Sequence, residues 1–175
     1  LAPGLGGNLR RLLAPILADL RRLETLWSWA RETTKSTTPW LCGAYSVADA
    51  MFAPVATRIA TYNLPVGPEA MLYVNAHLAH PSFRRWRAMG MVDGADQDFY
   101  RRPYPRRPWP GPVPLHARAV EGTEAENAAC PYSGGPVTHV LDLQGRRFGF
   151  CNAFCRDKTV ADPEAWPAFM ALYHS

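Results

Sequence analysis

Long apolar runs are missing from this sequence. No stretch reaches the roughly 18 consecutive apolar residues that a membrane-spanning helix requires, so a soluble chain is expected. An opening methionine is missing too: the first residue is Leu1, and no basic-then-apolar leader follows, which predicts a fragment or processed chain. Cysteine is scarce, with Cys42, Cys130, Cys151 and Cys155 the four among 175 residues. Three of them fall in the last 46 positions, while the aliphatic-rich first part has no need of staples, so a reducing, cytoplasmic compartment is the expectation. Charge is also sparse at 19%, against 47% hydrophobic residues, which excludes a disordered polyelectrolyte and supports a packed core. Lysine is nearly absent, since 17 of the 19 cations are arginine. Acidic residues lie among them, and that interspersion argues against a nucleic-acid partner.

Proline and glycine, by contrast, are plentiful at 17 and 13. Prolines 103, 105, 108, 110, 112 and 114 crowd into one short stretch, which reads as an extended linker or strap. Arg101 to Trp109 within it mixes cations with aromatics, a texture shared with single-strand binders, but a linker or strap with snorkelling arginines is the preferred reading. Charge changes sign along the chain: net +4 over 1–95, +3 over 96–120 and −3 over 121–175. No internal repeat joins these parts.

Residues 9–31 place Leu9, Leu12, Leu13, Ile16, Leu17, Leu20, Leu23, Trp27 and Ala30 at the three- and four-residue steps of one helical face. Pro15 predicts either a helix start or a bend, because proline lacks the amide hydrogen an interior turn needs. Ser46-Val47-Ala48-Asp49 is a capping box: a hydroxyl at the first position and a carboxylate three residues on can satisfy each other's amides. Met51, Phe52, Val55 and Ile59 continue it as an apolar face as far as Tyr62. Further helices are expected over 68–79 and 81–89, each opening on proline. His77 and His80, near the end of the first of these, suit the negative end of the helix dipole. Beyond residue 125 the pattern changes to alternation. His139, Leu141 and Leu143, a Gln144-Gly145 turn, and Arg146 to Phe150 predict a β-hairpin, with helix after Cys151 and again after Asp162-Pro163.

The run Pro39-Trp40-Leu41-Cys42-Gly43-Ala44-Tyr45-Ser46-Val47-Ala48-Asp49, with Pro54, Arg58 and Tyr62 following and His80-Pro81-Ser82-Phe83-Arg84-Arg85-Trp86 further on, resembles the all-helical C-terminal domain of cytosolic glutathione transferases. The resemblance covers roughly residues 9–90. It implies a mainly α fold and a parent protein that joins the thiolate of glutathione to an electrophile. In that family a thioredoxin-like N-terminal domain activates the thiol, and no βαβ unit precedes residue 9 here. The resemblance therefore assigns this chain the wall facing a small electrophilic substrate. Arg58 and Tyr62 are the candidate substrate-binding residues, and no catalytic residue is assigned. Ser46 and Asp49 are folding residues on this reading, the chain alone is inactive, and the thioredoxin-like domain is its implied partner.

Cys130, Cys151 and Cys155 form the second constellation. Cysteines four apart project from one face of a helical turn, and a hairpin can return Cys130 to them; such thiolates suit zinc. Cys130-Pro-Tyr-Ser-Gly134, Phe148-Gly-Phe-Cys151-x-x-x-Cys155 and Asp162-Pro163-Glu164 resemble the small cysteine fingers of the TRASH/YHS type. That family often carries a second cysteine where Ser133 stands here. The set is thus one strong ligand short, with His139, His174 or Asp157 as candidates for the fourth. The cysteines are equally readable as small buried hydrophobes, while a redox pair is disfavoured by the absence of Cys-x-x-Cys spacing. The expected architecture is a helical bundle of glutathione transferase C-terminal type over 1–95, a Pro/Arg-rich connector over 96–125, and a ββα finger over 126–175.

Overall fold

The computed structural model describes residues 5–101, 103, 105 and 107–175, with the side chains of 5–13 and 100 outside the description. The side chains of Leu9, Leu12 and Leu13 of the first apolar face therefore lie outside it, as do Arg102, Tyr104 and Arg106 of the connector. Six α-helices cover about half of the chain, and one three-stranded antiparallel sheet completes the regular structure among the described residues. No described helix is long and apolar enough to cross a membrane.

The chain divides into two compact units, Leu1–Ala79 and His80–Ser175. The first holds α1 (Leu5–Thr34), α2 (Val47–Tyr62) and α3 (Pro68–Ala79). Pro15 lies inside α1, which runs on through it. Leu20 and the fully buried Trp27 carry the α1 face into a core shared with Ile59, Tyr73 and Val74. The Trp27 ring meets Phe52 edge-on at 5.6 Å and Tyr73 at 4.7 Å, the arrangement that aromatic quadrupoles favour. On α2 the inward face is Phe52, Ala56 and Ile59. Met51, expected on that face, is 74% exposed, because the helical step from Ile59 leads back to Phe52 and Ala48 and leaves Met51 to one side.

The second unit begins with α4 (Pro81–Gly90), followed by β1 (Ala117–Val120), β2 (His139–Leu143), β3 (Arg146–Phe150), α5 (Ala153–Ala161) and α6 (Pro167–Tyr173). The expected boundaries at 95 and 125 do not mark this division. Helix α4 belongs with the finger, since Ala88 is buried in the same core as Leu141, Phe148, Phe150 and Phe169. The reason is electrostatic as well as apolar. Arg84 donates from Nε to Asp162 Oδ2 at 2.8 Å and from Nη2 to Oδ1 at 2.6 Å, a planar fork on a buried carboxylate. Asp162, expected to cap a final helix, makes no side-chain capping bond; its oxygens are occupied by Arg84, and a 3-10 turn (Pro163–Ala165) intervenes before α6.

The finger also holds a strand more than ββα. Strand β1, drawn from the expected connector, pairs antiparallel with β2, Ala117 opposite Leu143 and Val120 opposite Val140. Four residues are too few to announce a period of two. In the proline-rich stretch, Trp109 stacks on Phe83 with centroids 6.3 Å apart, and the Arg87 guanidinium lies 4.1 Å over its ring.

The β2–β3 hairpin has the expected register, His139 opposite Phe150 and Leu143 opposite Arg146. Gln144 and Gly145 both take positive φ, 56° and 84°, which two-residue hairpin turns of this hand require. Gly149 is constrained differently: a Cβ there would stand 2.5 Å from both methyl groups of Val137. Gly149→Ala should destabilise the second unit by about 1–3 kcal/mol, as overpacking does elsewhere, visible as a lower urea midpoint with an unchanged slope.

Candidate metal centre

Each cysteine of the triad is placed by a different local device. Cys130 opens a tight turn in which its amide donates to the Gly135 carbonyl and its carbonyl accepts from the Gly134 amide, both at 2.9 Å. Cys151 follows the last residue of β3, so the sheet register sets its position. Cys155 sits in the first turn of α5, whose N-cap Asn152 accepts from the Cys155 amide through Oδ1 at 2.8 Å. The three Sγ atoms all lie within 4.8 Å of one another, and Cys151 and Cys155 are 3.9 Å apart. Sulfurs about 2.3 Å from one ion at tetrahedral angles stand about 3.8 Å apart. The Cys151–Cys155 separation is close to that value, so the three could hold one ion.

Burial is graded across the triad: Cys130 is 3% exposed, Cys155 9%, and Cys151 half-buried. Burial alone would push the Cys130 thiol up. The backbone amides of Tyr132, Cys151 and Ser133, with the Ser133 hydroxyl, donate to its sulfur and bring it down to about 6. Burial pushes Cys155 up to about 11, aided by its bond to Cys151 and the neighbouring sulfurs, with the Lys158 ammonium opposing. A sulfur held by amide donors at one corner is prepared for the thiolate form that metals bind.

Around the triad lies a set of residues that the sequence pattern did not single out. The Lys158 ammonium stands 4.2 Å from the Tyr132 ring, 4.3 Å from Trp166 and 5.4 Å from Phe154. The Tyr132 and Thr159 hydroxyls are 2.6 Å apart, and Thr159 donates to the Cys155 carbonyl at 2.8 Å. These contacts tie the Cys130 turn to α5. The i, i+4 spacing of Phe154 and Lys158, and of Cys155 and Thr159, was the available signal.

Among the described residues the triad gains no fourth histidine, cysteine or carboxylate. His139 Nδ1 lies 2.9 Å from the Thr138 hydroxyl, the His174 ring packs against Tyr173, and Asp157 accepts from Arg156 at 2.7 Å. All three fourth-ligand candidates are thereby placed outside the cluster. Cys42 is exposed in the other unit.

In the first unit the chemistry-bearing residues gather around Asp49. Its carboxylate is fully buried and accepts four hydrogen bonds: from the Leu41 amide and the Tyr73 hydroxyl, each at 3.0 Å, and from the Ser46 amide and hydroxyl, each at 2.8 Å. Burial pushes its pKa up, but the four donors outweigh burial and hold it below the ordinary carboxylate range. Tyr73 is pushed well above its usual range by burial and by the Asp49 charge. His77 lies in the last turn of α3, as expected, but is fully buried; its ring nitrogens lie 3.0 Å from the Tyr73 carbonyl and 2.8 Å from that of Asp49. His80 is the N-cap residue of α4. Arg58 and Tyr62, the candidate substrate-binding pair, stand on the exposed side of α2, Tyr62 70% exposed. An open cleft in this unit, about 630 Å³, is lined by Arg31, Lys35, Thr38, Glu69, Leu72 and their neighbours.

Comparison with known proteins adds no relative: no family model, no curated protein and no solved structure matches the chain.

Proposed function

We propose that the His80–Ser175 unit is a metal-binding module in which Cys130, Cys151 and Cys155 hold one zinc ion as thiolates. The observation carrying this reading is the convergence of three sulfurs, from a turn, a strand end and a helix start, to within 4.8 Å of one another, close enough to share one ion. Soft thiolate donors favour zinc over the hard cations that oxygen ligands select. The ion's role is structural or sensory: it cross-links the Cys130 turn, the end of β3 and the start of α5. A unit with so small a sheet gains stability from such a staple. The TRASH/YHS resemblance of the same residues agrees with this assignment.

The first unit supports a companion reading for the parent protein, a glutathione transferase in which this chain supplies the electrophile side. The observation favouring it is the Ser46–Asp49 capping box at the head of α2, with Asp49 fully buried. Arg58 and Tyr62 then line the substrate wall once a thioredoxin-like domain is alongside, and glutathione is bound by that domain. The chain on its own should show no glutathione conjugation; measurable conjugation by these 175 residues would contradict this reading.

The metal reading is tested by elemental analysis of protein purified without added metal. About one zinc per chain is expected, lost in Cys130→Ser and Cys151→Ser. Wild-type protein that is folded by circular dichroism and binds no zinc, even on titration, rules the module out.

A further inference from the structure

The three sulfurs leave a tetrahedral ion one vertex short, and the surroundings show where that vertex lies. No fourth histidine, cysteine or carboxylate joins the cluster among the described residues. Two faces of the triad are closed, because Cys130 and Cys155 are buried in the core of the unit. The third is open: Cys151 is half-buried, and the residues beside its sulfur, Ser133 and Asn152, are both exposed.

Ser133 stands three residues after Cys130, the spacing at which paired zinc ligands recur, and its hydroxyl is 3.1 Å from Cys151 Sγ. A neutral hydroxyl is a poor zinc ligand beside thiolates, so Ser133 occupies a ligand's place without supplying a ligand's donor. Asn152 is fixed by its capping bond to Cys155, and this directs its Nδ2 at Cys151 Sγ, 3.4 Å away. Two hydrogen-bond donors thus border the open side, and both already serve a sulfur.

We infer that the three-cysteine centre keeps an exchangeable fourth vertex beside Ser133, and that this vertex takes a small external thiol as its thiolate. The inference rests on the metal-binding reading. In the exchange, the thiol releases its proton to solvent as its sulfur bonds to the ion, and a water molecule leaves. Asn152, whose amide carries a second hydrogen, then donates to the incoming sulfur as it does to Cys151. No electrons are transferred.

Cobalt(II), which reports its ligands by colour, is the probe, added to the whole chain freed of metal. Bound cobalt should show tetrahedral bands with three-sulfur charge-transfer intensity. Titration with mercaptoethanol should then add the intensity of a fourth sulfur and saturate. Glutathione in a separate titration shows whether a bulky thiol enters as well as a small one: saturation by both, or by mercaptoethanol alone, supports the open vertex. Ser133→Cys should display the four-sulfur spectrum unaided and lose the thiol response, whereas Ser133→Ala should retain it. Bound cobalt whose spectrum ignores both thiols overturns the inference while leaving the metal centre intact, and so does cobalt stripped from the protein by the thiol. If cobalt does not bind at all, the metal-binding reading fails first and the open vertex fails with it.

Discussion

Replacing Asp49 by alanine is expected to destabilise the Leu1–Ala79 unit by on the order of 3–4 kcal/mol, among the largest effects a single side chain produces. The carboxylate is fully buried and joins three segments: the Leu41 loop, the Ser46 cap and Tyr73 of α3. Alanine leaves their donors buried and unpaired, each costing about 1–3 kcal/mol. Losing the cap alone, in Ser46→Ala, should cost only about 1 kcal/mol. Asp49→Asn keeps the shape but loses the charge, and its loss should fall between the two. The same residue predicts an acid limb. Because the folded state holds Asp49 below its unfolded value, the contribution is complete above the ordinary carboxylate pKa of about 4 and fades as pH falls through that value towards the folded one. Urea denaturation from neutral pH downward should show the limb in the wild type and a shallower one in Asp49→Asn. If Asp49→Ala costs less than about 1 kcal/mol, the carboxylate does not organise this unit.

Arg84→Ala should destabilise the second unit by about 3–5 kcal/mol, because it strands the Asp162 carboxylate without its partner in the interior. The Arg84 side chain is 17% exposed and that of Asp162 4%, so water cannot take over the role of the guanidinium. Glu164 feels the loss less, since it lies on the exposed side and also accepts from the Leu115 amide at 3.1 Å. Arg84→Ala combined with Asp162→Asn should recover part of the stability, because the unpaired charge is then gone. The comparison tests whether α4 is integral to the finger. An Arg84→Ala protein that unfolds at the wild-type urea midpoint would show that it is not.

Much of the local structure was legible before any coordinates. The starts of α2, α3 and α4, the turn at Gln144-Gly145 and the helix after Cys151 all follow from residues within four positions of one another. Capping, proline placement and hairpin turns are interactions between near neighbours. The cysteine triad was legible: Cys151 and Cys155 share a helical turn, and the expected hairpin, paired as β2 and β3, carries the chain back to Cys130. The departure at Ser133 could be read from spacing, whereas its contact with Cys151 could not.

What escaped was long-range. Arg84 and Asp162 are 78 positions apart, and nothing in the composition of either neighbourhood announces the other. That pairing moved the expected boundary from 95 to Ala79 and gave α4 to the finger. Strand β1 was hidden because four residues of a proline-flanked stretch gain a strand's hydrogen bonds only when β2 offers them. The place of His77 at the end of α3 was legible, whereas its burial between the carbonyls of Tyr73 and Asp49 was not. Sequence pattern therefore settled which segments are helical, where α2 to α5 begin, and which cysteines can converge. Tertiary structure alone decided which distant charges meet, where the units divide and which corner of the sulfur triangle stays open to water, because charge pairing and burial depend on neighbours that periodicity cannot specify.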